Sequence, residues 1–387
     1  MHPYRDVVIA GVFNTPQARR LPGETMLSLT TAAARGACAD AGIALAEVDA
    51  IAGQGAAELG YDLGLGPMTR VLSPLGIPTI RDAARLIATG EAANVLVIAA
   101  GVGLLVADGA TAPWTRPENE LVVGYGLFTA AEFALMARRH MIVHGTTPQH
   151  LAAVAATIRN NGHANPDAVY TGRGPFTAAD VLASPMIADP FHLLDCSMTS
   201  EGGCALLLTS ADRAADLASV PVYVLGSASD SFGAAYSQAP SWDLRGVAGD
   251  DVPAGYVGRR AARTVWRQAG LTPGDVDVCE FYDPFSFEII RQFEAFGFCG
   301  DGEGPGLVED GVIASGGRWP VTTDGGTMSF SHAGIAAQQL QRVIRGVEQI
   351  RGTCRSMQVP GAQVALCSNG GSGALFTDLM LLGAGRP

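Results

Sequence analysis

What this 387-residue chain has little of narrows its function before any motif is read. Charged residues make up only 16% of it against 48% apolar, and the formal charge is −12. No basic run exceeds a pair, as at Arg19-Arg20 and Arg259-Arg260. The surface that would neutralise a nucleic-acid backbone is therefore missing, and the acidic balance bears on solubility instead. Met1 to Val12 holds no basic segment followed by a long apolar stretch and a small-residue cleavage site, so a cytoplasmic protein is expected. The longest apolar stretch, Val95 to Ala107, is broken by Gly101 and Gly103 and is too short to cross a bilayer, so no membrane association is expected. Seven cysteines (Cys38, Cys196, Cys204, Cys279, Cys299, Cys354, Cys367) are odd in number and show no CxxC spacing. A disulfide framework and a zinc site are both disfavoured, leaving buried thiols and no metal. No Gly-x-Gly-x-x-Gly follows the first apolar run, where Gly11 stands alone before Val12-Phe13-Asn14, which disfavours a nicotinamide dehydrogenase.

The length exceeds one hydrophobic core, so two core-forming units or one duplicated unit are expected. Periodicity gives a strand at Val7 to Val12, a helix at Thr25 to Ala41 ending at Gly42, a strand at Val48 to Ala52, a helix at Thr79 to Thr89 and a buried strand at Val95 to Ala100. A helical middle follows (Thr129 to His144, Pro148 to Asn161), and then a strand at Cys204 to Thr209. The series then restarts with a strand at Val222 to Leu225, a helix at Gly255 to Ala269, a strand at Val276 to Phe281 and a helix at Pro284 to Phe296. A helix at Ala336 to Ile350 and strands at Val364 to Leu366 and Leu375 to Leu382 complete it. One local match supports duplication. Ala41-Gly42 leading to Val48-Asp49 parallels Ala269-Gly270 leading to Val276-Asp277, each a helix leaving through a glycine that tolerates the left-handed conformation. The expected fold is therefore α/β, with halves at residues 1–219 and 220–387 layered α/β/α/β/α, and a helical insertion at about 110–190 in the first.

The chemistry concentrates in Glu280-Phe281-Tyr282-Asp283-Pro284-Phe285 and, about fifty residues later, in Gly325-Gly326 and Ser331-His332-Ala333-Gly334. Tyr282 and His332 can each handle a proton, and no cysteine stands by as a nucleophile. A tyrosine at a strand end is often only a structural hydrogen-bonder, and a histidine before a helix can simply cap it. Asp283 would raise the Tyr282 pKa if it pointed at the hydroxyl, so it is expected to point into the scaffold. Glycines in Cys367-Ser368-Asn369-Gly370-Gly371-Ser372-Gly373 would let backbone N–H groups approach a ligand, with Cys367 as the last buried residue of the preceding strand. Arg70, Arg81 and Arg116 are candidate phosphate contacts, with solvated surface as the plainer reading.

From Val276 to Leu382 the chain resembles the C-terminal half of the thiolase superfamily, in the branch of the sterol-carrier-protein thiolases and bacterial lipid-transfer-protein homologues. Asp195-Cys196-Ser197 and Glu201-Gly202-Gly203-Cys204-Ala205 resemble that branch's segment at the end of the first half. The resemblance implies a duplicated α/β fold, usually a homodimer, that makes or breaks bonds next to a thioester carbonyl. Coenzyme A would arrive as part of an acyl-CoA substrate, with no cofactor bound in the chain. Where the branch carries His-Asp-Cys-Phe this chain has Tyr282-Asp283-Pro284-Phe285, which removes the acid/base thiol. Alignment places Ser73 where the family's nucleophilic cysteine begins a helix, and an unassisted serine is a weak nucleophile. His332 matches the histidine of the family's Gly-His-Pro motif, which donates to the thioester oxygen, with Gly325, Gly326, Asn369, Gly370 and Gly371 as its substrate and oxyanion loops. The implied reaction is retro-aldol cleavage of a β-hydroxyacyl-CoA, with Tyr282 taking the β-hydroxyl proton and His332 holding the enolate. It resembles that of the thiolase-like aldolases of steroid side-chain degradation, which work with a small zinc-ribbon and OB-fold partner and favour tyrosine at both positions. Two alternatives stay open: an acyltransferase or thiolase with its nucleophile elsewhere, and a non-catalytic acyl-CoA-binding scaffold subunit.

Overall fold

In the computed structural model the described residues are 4–66, 68–71, 76–103, 129–231, 257–371 and 376–386. The chain opens with β1 (Val7–Asn14), buried on both faces from Val7 to Val12, as a continuous apolar run requires of an interior strand. α1 (Met26–Ala41) begins at Thr25, whose hydroxyl accepts the Ser28 N–H while Ser28 accepts the Thr25 N–H, a box that contributes about 1 kcal/mol. Its buried stripe of Leu29, Ala33, Ala34, Ala37, Cys38 and Ala41 lets the helix lie close on the strands beneath. β2 (Ala50–Gly53), α2 (Ala56–Asp62), β3 (Thr69–Val71), α3 (Gly76–Ala88) and β4 (Asn94–Gly101) follow. The middle carries α4 (Thr129–His144), α5 (Pro148–Ala164), α6 (Ala178–Ala183) and a small hairpin of β5 (Met186–Ala188) and β6 (Phe191–His192), and β7 (Gly202–Ser210) closes the half. The second half runs β8 (Val222–Ser231), α7 (Arg259–Ala269), β9 (Val278–Glu280), α8 (Ser286–Ala295), α9 (Gly304–Glu309), α10 (Gly326–Ser329), α11 (Gly334–Arg351), β10 (Val364–Gly371) and β11 (Phe376–Gly383).

Nine strands pair in the order β3-β2-β4-β7-β1-β8-β11-β10-β9. β1 and β8 form the seam, pairing Val8 with Tyr223 and Ile9 with Val222. Outward from that seam, each half shows the same sense. An antiparallel pair (β1 with β7, β8 with β11) leads to another (β7 with β4, β11 with β10), and then to a parallel pair (β4 with β2, β10 with β9). A parallel bridge from Cys279 to Val321 stands where β2 pairs with β3 in the first half. Gly42 and Gly270 end their helices at φ 72° and 67°, the left-handed exits expected of both.

α3 and α11 each pack on strands of both halves, so they lie between the two halves of the sheet. Their apolar residues share one core with the inward faces of β1, β4, β7, β10 and β11. α1 covers the outer face of the first half, and α7 that of the second, with α5 and α8 contributing to the same outer core. The result is the expected α/β/α/β/α layering. Most element ends differ from the sequence reading by a few residues, and two strands run much further because pairing, not composition, decides where a strand stops: β8 runs to Ser231 and β10 to Gly371. The last is a correction: Asn369, Gly370 and Gly371 are strand residues facing Asp378, Thr377 and Phe376 of β11, not a loop, and Cys367 lies mid-strand. Among the described residues no helix is long and apolar enough to cross a membrane.

Candidate active site

Tyr282 follows the end of β9 and is held on both sides of its own peptide unit. Its N–H donates to Ser368 Oγ at 3.0 Å, its carbonyl accepts from Gln292 Nε2 at 2.6 Å, and the Ser368 hydroxyl donates to Gln292 Oε1. The residue is 8% exposed. A Cβ on Gly370 would stand 2.9 Å from the Phe376 carbonyl oxygen and 3.5 Å from the Tyr282 ring, so the glycine is there for packing.

Asp283 points into the scaffold, as expected. It is fully buried and accepts the N–H of Thr327 at 2.8 Å, the N–H of Met328 at 3.0 Å and the Thr327 hydroxyl at 3.1 Å. Burial nevertheless pushes its carboxyl up to about 7. Gly325 and Gly326 are also scaffold, which corrects their expected place in an oxyanion loop. Their N–H groups donate to the Thr322 carbonyl and to Asp324 Oδ1, and so are not offered to a ligand. Both have positive φ, 104° and 57°. A Cβ on Gly326 would fall 2.2 Å from the Asp283 carboxylate, and one on Gly325 2.5 Å from Gly162.

His332 is partly buried, and its ring Nδ1 lies 2.7 Å from the Met198 carbonyl oxygen. A carbonyl only accepts, so Nδ1 carries the proton and the neutral ring keeps its lone pair on Nε2. Burial lowers the His332 pKa below the ordinary histidine value, against the opposing bond to Met198. The ring does not cap α11, whose N-cap is Ala333 without a side-chain bond, so that plainer alternative does not hold. With Nδ1 bonded to Met198 the neutral ring accepts at Nε2, whereas the expected role was donation to an enolate oxygen. The backbone around it is fixed by a reciprocal pair: His332 N–H to Ser200 Oγ at 2.7 Å and Ser200 N–H to the His332 carbonyl at 3.3 Å.

The segment from Asp195 to Glu201 lies between the two motifs and touches each. Ser197 N–H donates to the Pro284 carbonyl, and Met198 N–H donates to the Thr327 carbonyl. Behind the site is a buried ionic group. Arg342, fully buried, makes a two-pronged bond to Asp324 at 2.7 and 2.6 Å and lies 3.6 Å from Glu280. Glu280 accepts from the Thr323 hydroxyl at 2.5 Å, and that oxygen accepts from Arg345 and Gln349, both at 2.8 Å. Burial and Asp324 push Glu280 up to about 7. These contacts bind α11 to the strand end that carries Tyr282.

All seven cysteines are free, and burial raises every thiol. Cys38 is pushed up to about 11 and Cys196 and Cys299 to about 12, while Cys367 lies well above the ordinary value. None is a thiolate at neutral pH. Ser73 and Arg116 lie outside the described residues, as does the side chain of Arg70. Arg81 is not solvated surface: it donates to Ser229 Oγ at 2.8 Å. Asn369 donates to Asp378 at 2.8 Å and is 1% exposed, so neither it nor its neighbours form an open loop.

Residues 251–384 match the family described as thiolase C-terminal domain-like. An acetyl-CoA acetyltransferase of Methanothermobacter thermautotrophicus is 33% identical over 386 residues, covering 95% of this chain and 97% of that protein. The chain belongs to the thiolase superfamily. A steroid side-chain-cleaving aldolase of Thermomonospora curvata is 31% identical, covering 98% of both chains. Among solved structures, one described as "Ltp2-ChsH2(DUF35) aldolase" superposes with a TM-score of 0.85 at 27% identity, covering 99% of this chain and 98% of that one.

Within this thiolase-superfamily chain, sequence reasoning missed the groups that orient the named residues. The Met198 carbonyl is a backbone atom and leaves no signature in side-chain type. Arg159 was detectable only as an arginine inside an apolar helix pattern. It is 2% exposed and gives its guanidinium to the carbonyls of Leu194, Met328 and Cys196 at 2.7 to 3.0 Å.

Proposed function

We propose that the chain is a carbon–carbon lyase that cleaves a β-hydroxyacyl-CoA by a retro-aldol reaction without an acyl-enzyme intermediate. The observation that carries this reading is a neutral histidine with its acceptor nitrogen set by Met198, in a chain whose seven cysteines are all held as thiols. The chain also contains no lysine, every one of its 25 Lys/Arg positions being arginine, so an enamine route through a lysine Schiff base is closed. In the proposed reaction His332 Nε2 takes the β-hydroxyl proton, and the Cα–Cβ electron pair moves to the thioester as an enolate. The Tyr282 hydroxyl donates to the enolate oxygen. The ketone leaves, and the imidazolium returns its proton to Cα to give the shorter acyl-CoA. These assignments exchange the two roles expected from the sequence, because Nδ1 is already committed as a donor.

The name of the 31% identical aldolase supports a steroid side chain, or another bulky acyl group, as the substrate class. A small partner of the zinc-ribbon and OB-fold type, a homodimer and a cytoplasmic location belong to the same proposal. The two-component name of the superposed structure supports the partner. A second reading, acyl transfer, is favoured by the acetyltransferase name of the 33% identical relative. It needs a nucleophile, for which Ser73 is the candidate the sequence offers. Incubation with a β-hydroxyacyl-CoA, with and without free coenzyme A, separates the readings. A lyase releases ketone and shorter acyl-CoA in equal amounts and consumes no coenzyme A. Product formation that depends on added coenzyme A would favour transfer, and no turnover at all would favour a scaffold subunit.

A further inference from the structure

The short helix α10 is clamped at both ends by two buried side chains, a carboxyl and a guanidinium, that the proposed reaction does not use. At its start, Asp283 takes the N–H groups of Thr327 and Met328; at its end, Arg159 donates to the Met328 carbonyl at 3.0 Å. The Asp283 carboxyl oxygens at the N–H end and the Arg159 guanidinium at the carbonyl end both complement the peptide dipoles, so the turn is held by directed hydrogen bonds as well as by shape. The peptide between Thr327 and Met328 lies in the middle of this clamp. Its N–H is held by Asp283, and its carbonyl accepts the Met198 N–H at 3.1 Å. Met198 in turn accepts the His332 Nδ1–H at 2.7 Å. Arg159 braces the same segment from the other side through the carbonyls of Leu194 and Cys196.

We infer that Asp283 and Arg159 are positioning residues that, through α10 and Met198, decide which nitrogen of His332 carries the proton. Neither touches the imidazole. The histidine's own ionisation responds to burial and to the Met198 bond, so the influence passes by placement of that carbonyl and not by long-range charge. The consequence for catalysis is specific. If the Met198 carbonyl shifts out of bonding range, the proton is no longer held on Nδ1. A ring protonated on Nε2 can no longer accept there. The clamp therefore sets the fraction of molecules with a competent base.

This inference rests on His332 acting as the base of the proposed lyase, but its main test needs no turnover. In the full-length protein, histidine ring 15N resonances report the tautomer, and the His332 signal is assigned by its loss in His332→Gln. The wild type is expected to show His332 neutral and protonated on Nδ1. In Asp283→Asn the carboxylate that holds two N–H groups becomes a half-donor, and the signal is expected to move toward a mixture of tautomers. kcat is expected to fall about tenfold or more with KM changed less than about twofold and thermal unfolding still cooperative. Arg159→Lys keeps the charge but loses the three-carbonyl fork, and is expected to move both readouts in the same direction. It serves in place of Asp283→Asn if that variant does not fold. A wild-type His332 protonated on Nε2 overturns the inference at once. So does a variant that loses kcat while His332 keeps its Nδ1 proton, or one that changes tautomer without loss of kcat. Failure of the lyase reading would instead appear as absence of ketone product with the tautomer results intact.

Discussion

The two central helices occupy one layer and are built on opposite principles. α3 turns Ile77, Ile80, Ala83, Ala84 and Ile87 inward and leaves Arg85 and Asp82 as an ion pair at the surface. α11 is buried nearly all round, yet Gln338, Gln339, Gln341, Arg342, Arg345 and Gln349 are among its buried residues. Most of these side chains reach outside the helix: Arg342 to Asp324, Arg345 and Gln349 to Thr323, Gln341 to Gln17, and Gln339 to the N–H of Gly76 at the start of α3. A helix that only filled space would carry the α3 pattern. The polar face of α11 is explained by what it holds, since Asp324 and Thr323 lead directly into the turn that anchors Asp283, and His332 lies two residues before the helix begins.

The contrast is broken most severely at Arg342. Arg342→Met would leave Asp324 and Glu280 buried without their cation, and loss of one partner of such a group destabilises by about 3–5 kcal/mol, measurable by denaturant unfolding. Next come Tyr282 and His332, the proposed proton handlers at the ends of the held loops. Tyr282→Phe and His332→Ala should each lower kcat/KM by about a hundredfold or more, with ketone release as the assay. The pH dependence sharpens the comparison further. His332 must be neutral to accept, and its pKa is lowered, so the acid limb of kcat/KM should lie below about 6.5. A rate that rises on acidification through that region would mean that the imidazolium is the working form.

Glu280 gives a smaller effect of opposite sign to that of an ordinary surface carboxylate. Its folded pKa, about 7, lies above the unfolded value, so the native state binds the extra proton. Its contribution is fully present below the ordinary carboxylate range and is lost as pH rises toward 7. Glu280→Gln should therefore gain stability relative to the wild type between pH 5 and pH 8, read from paired denaturation curves. The smallest effect belongs to α3, where Arg85→Ala at an exposed ion pair should change stability by less than about 0.5 kcal/mol.

Much of the fold was legible because apolar period and glycine exits mark element interiors. The paired exits at Gly42 and Gly270 pointed to a repeat that the strand order displays. Gly370 and Gly371 misled for a physical reason: glycine composition reads as loop, whereas here a Cβ at either would collide with Phe376 of β11. The burial of the Gln and Arg residues of α11 was not legible, since sequence alone does not show that two half-sheets enclose the helix. Tyr282, Asp283 and His332 were found by residue type and position. The proposed direction of proton transfer was not, because it rests on the contact of His332 Nδ1 with the Met198 carbonyl, a group that every residue possesses.

The central claim is cleavage without a covalent intermediate, and the intact mass of the protein during turnover tests it most directly. With a β-hydroxyacyl-CoA that is visibly consumed, rapid quenching should return only the unmodified mass while ketone and shorter acyl-CoA accumulate. A species heavier by the acyl group, formed and lost on the timescale of turnover, would contradict the account and place the chain among the acyl-transferring members of its superfamily.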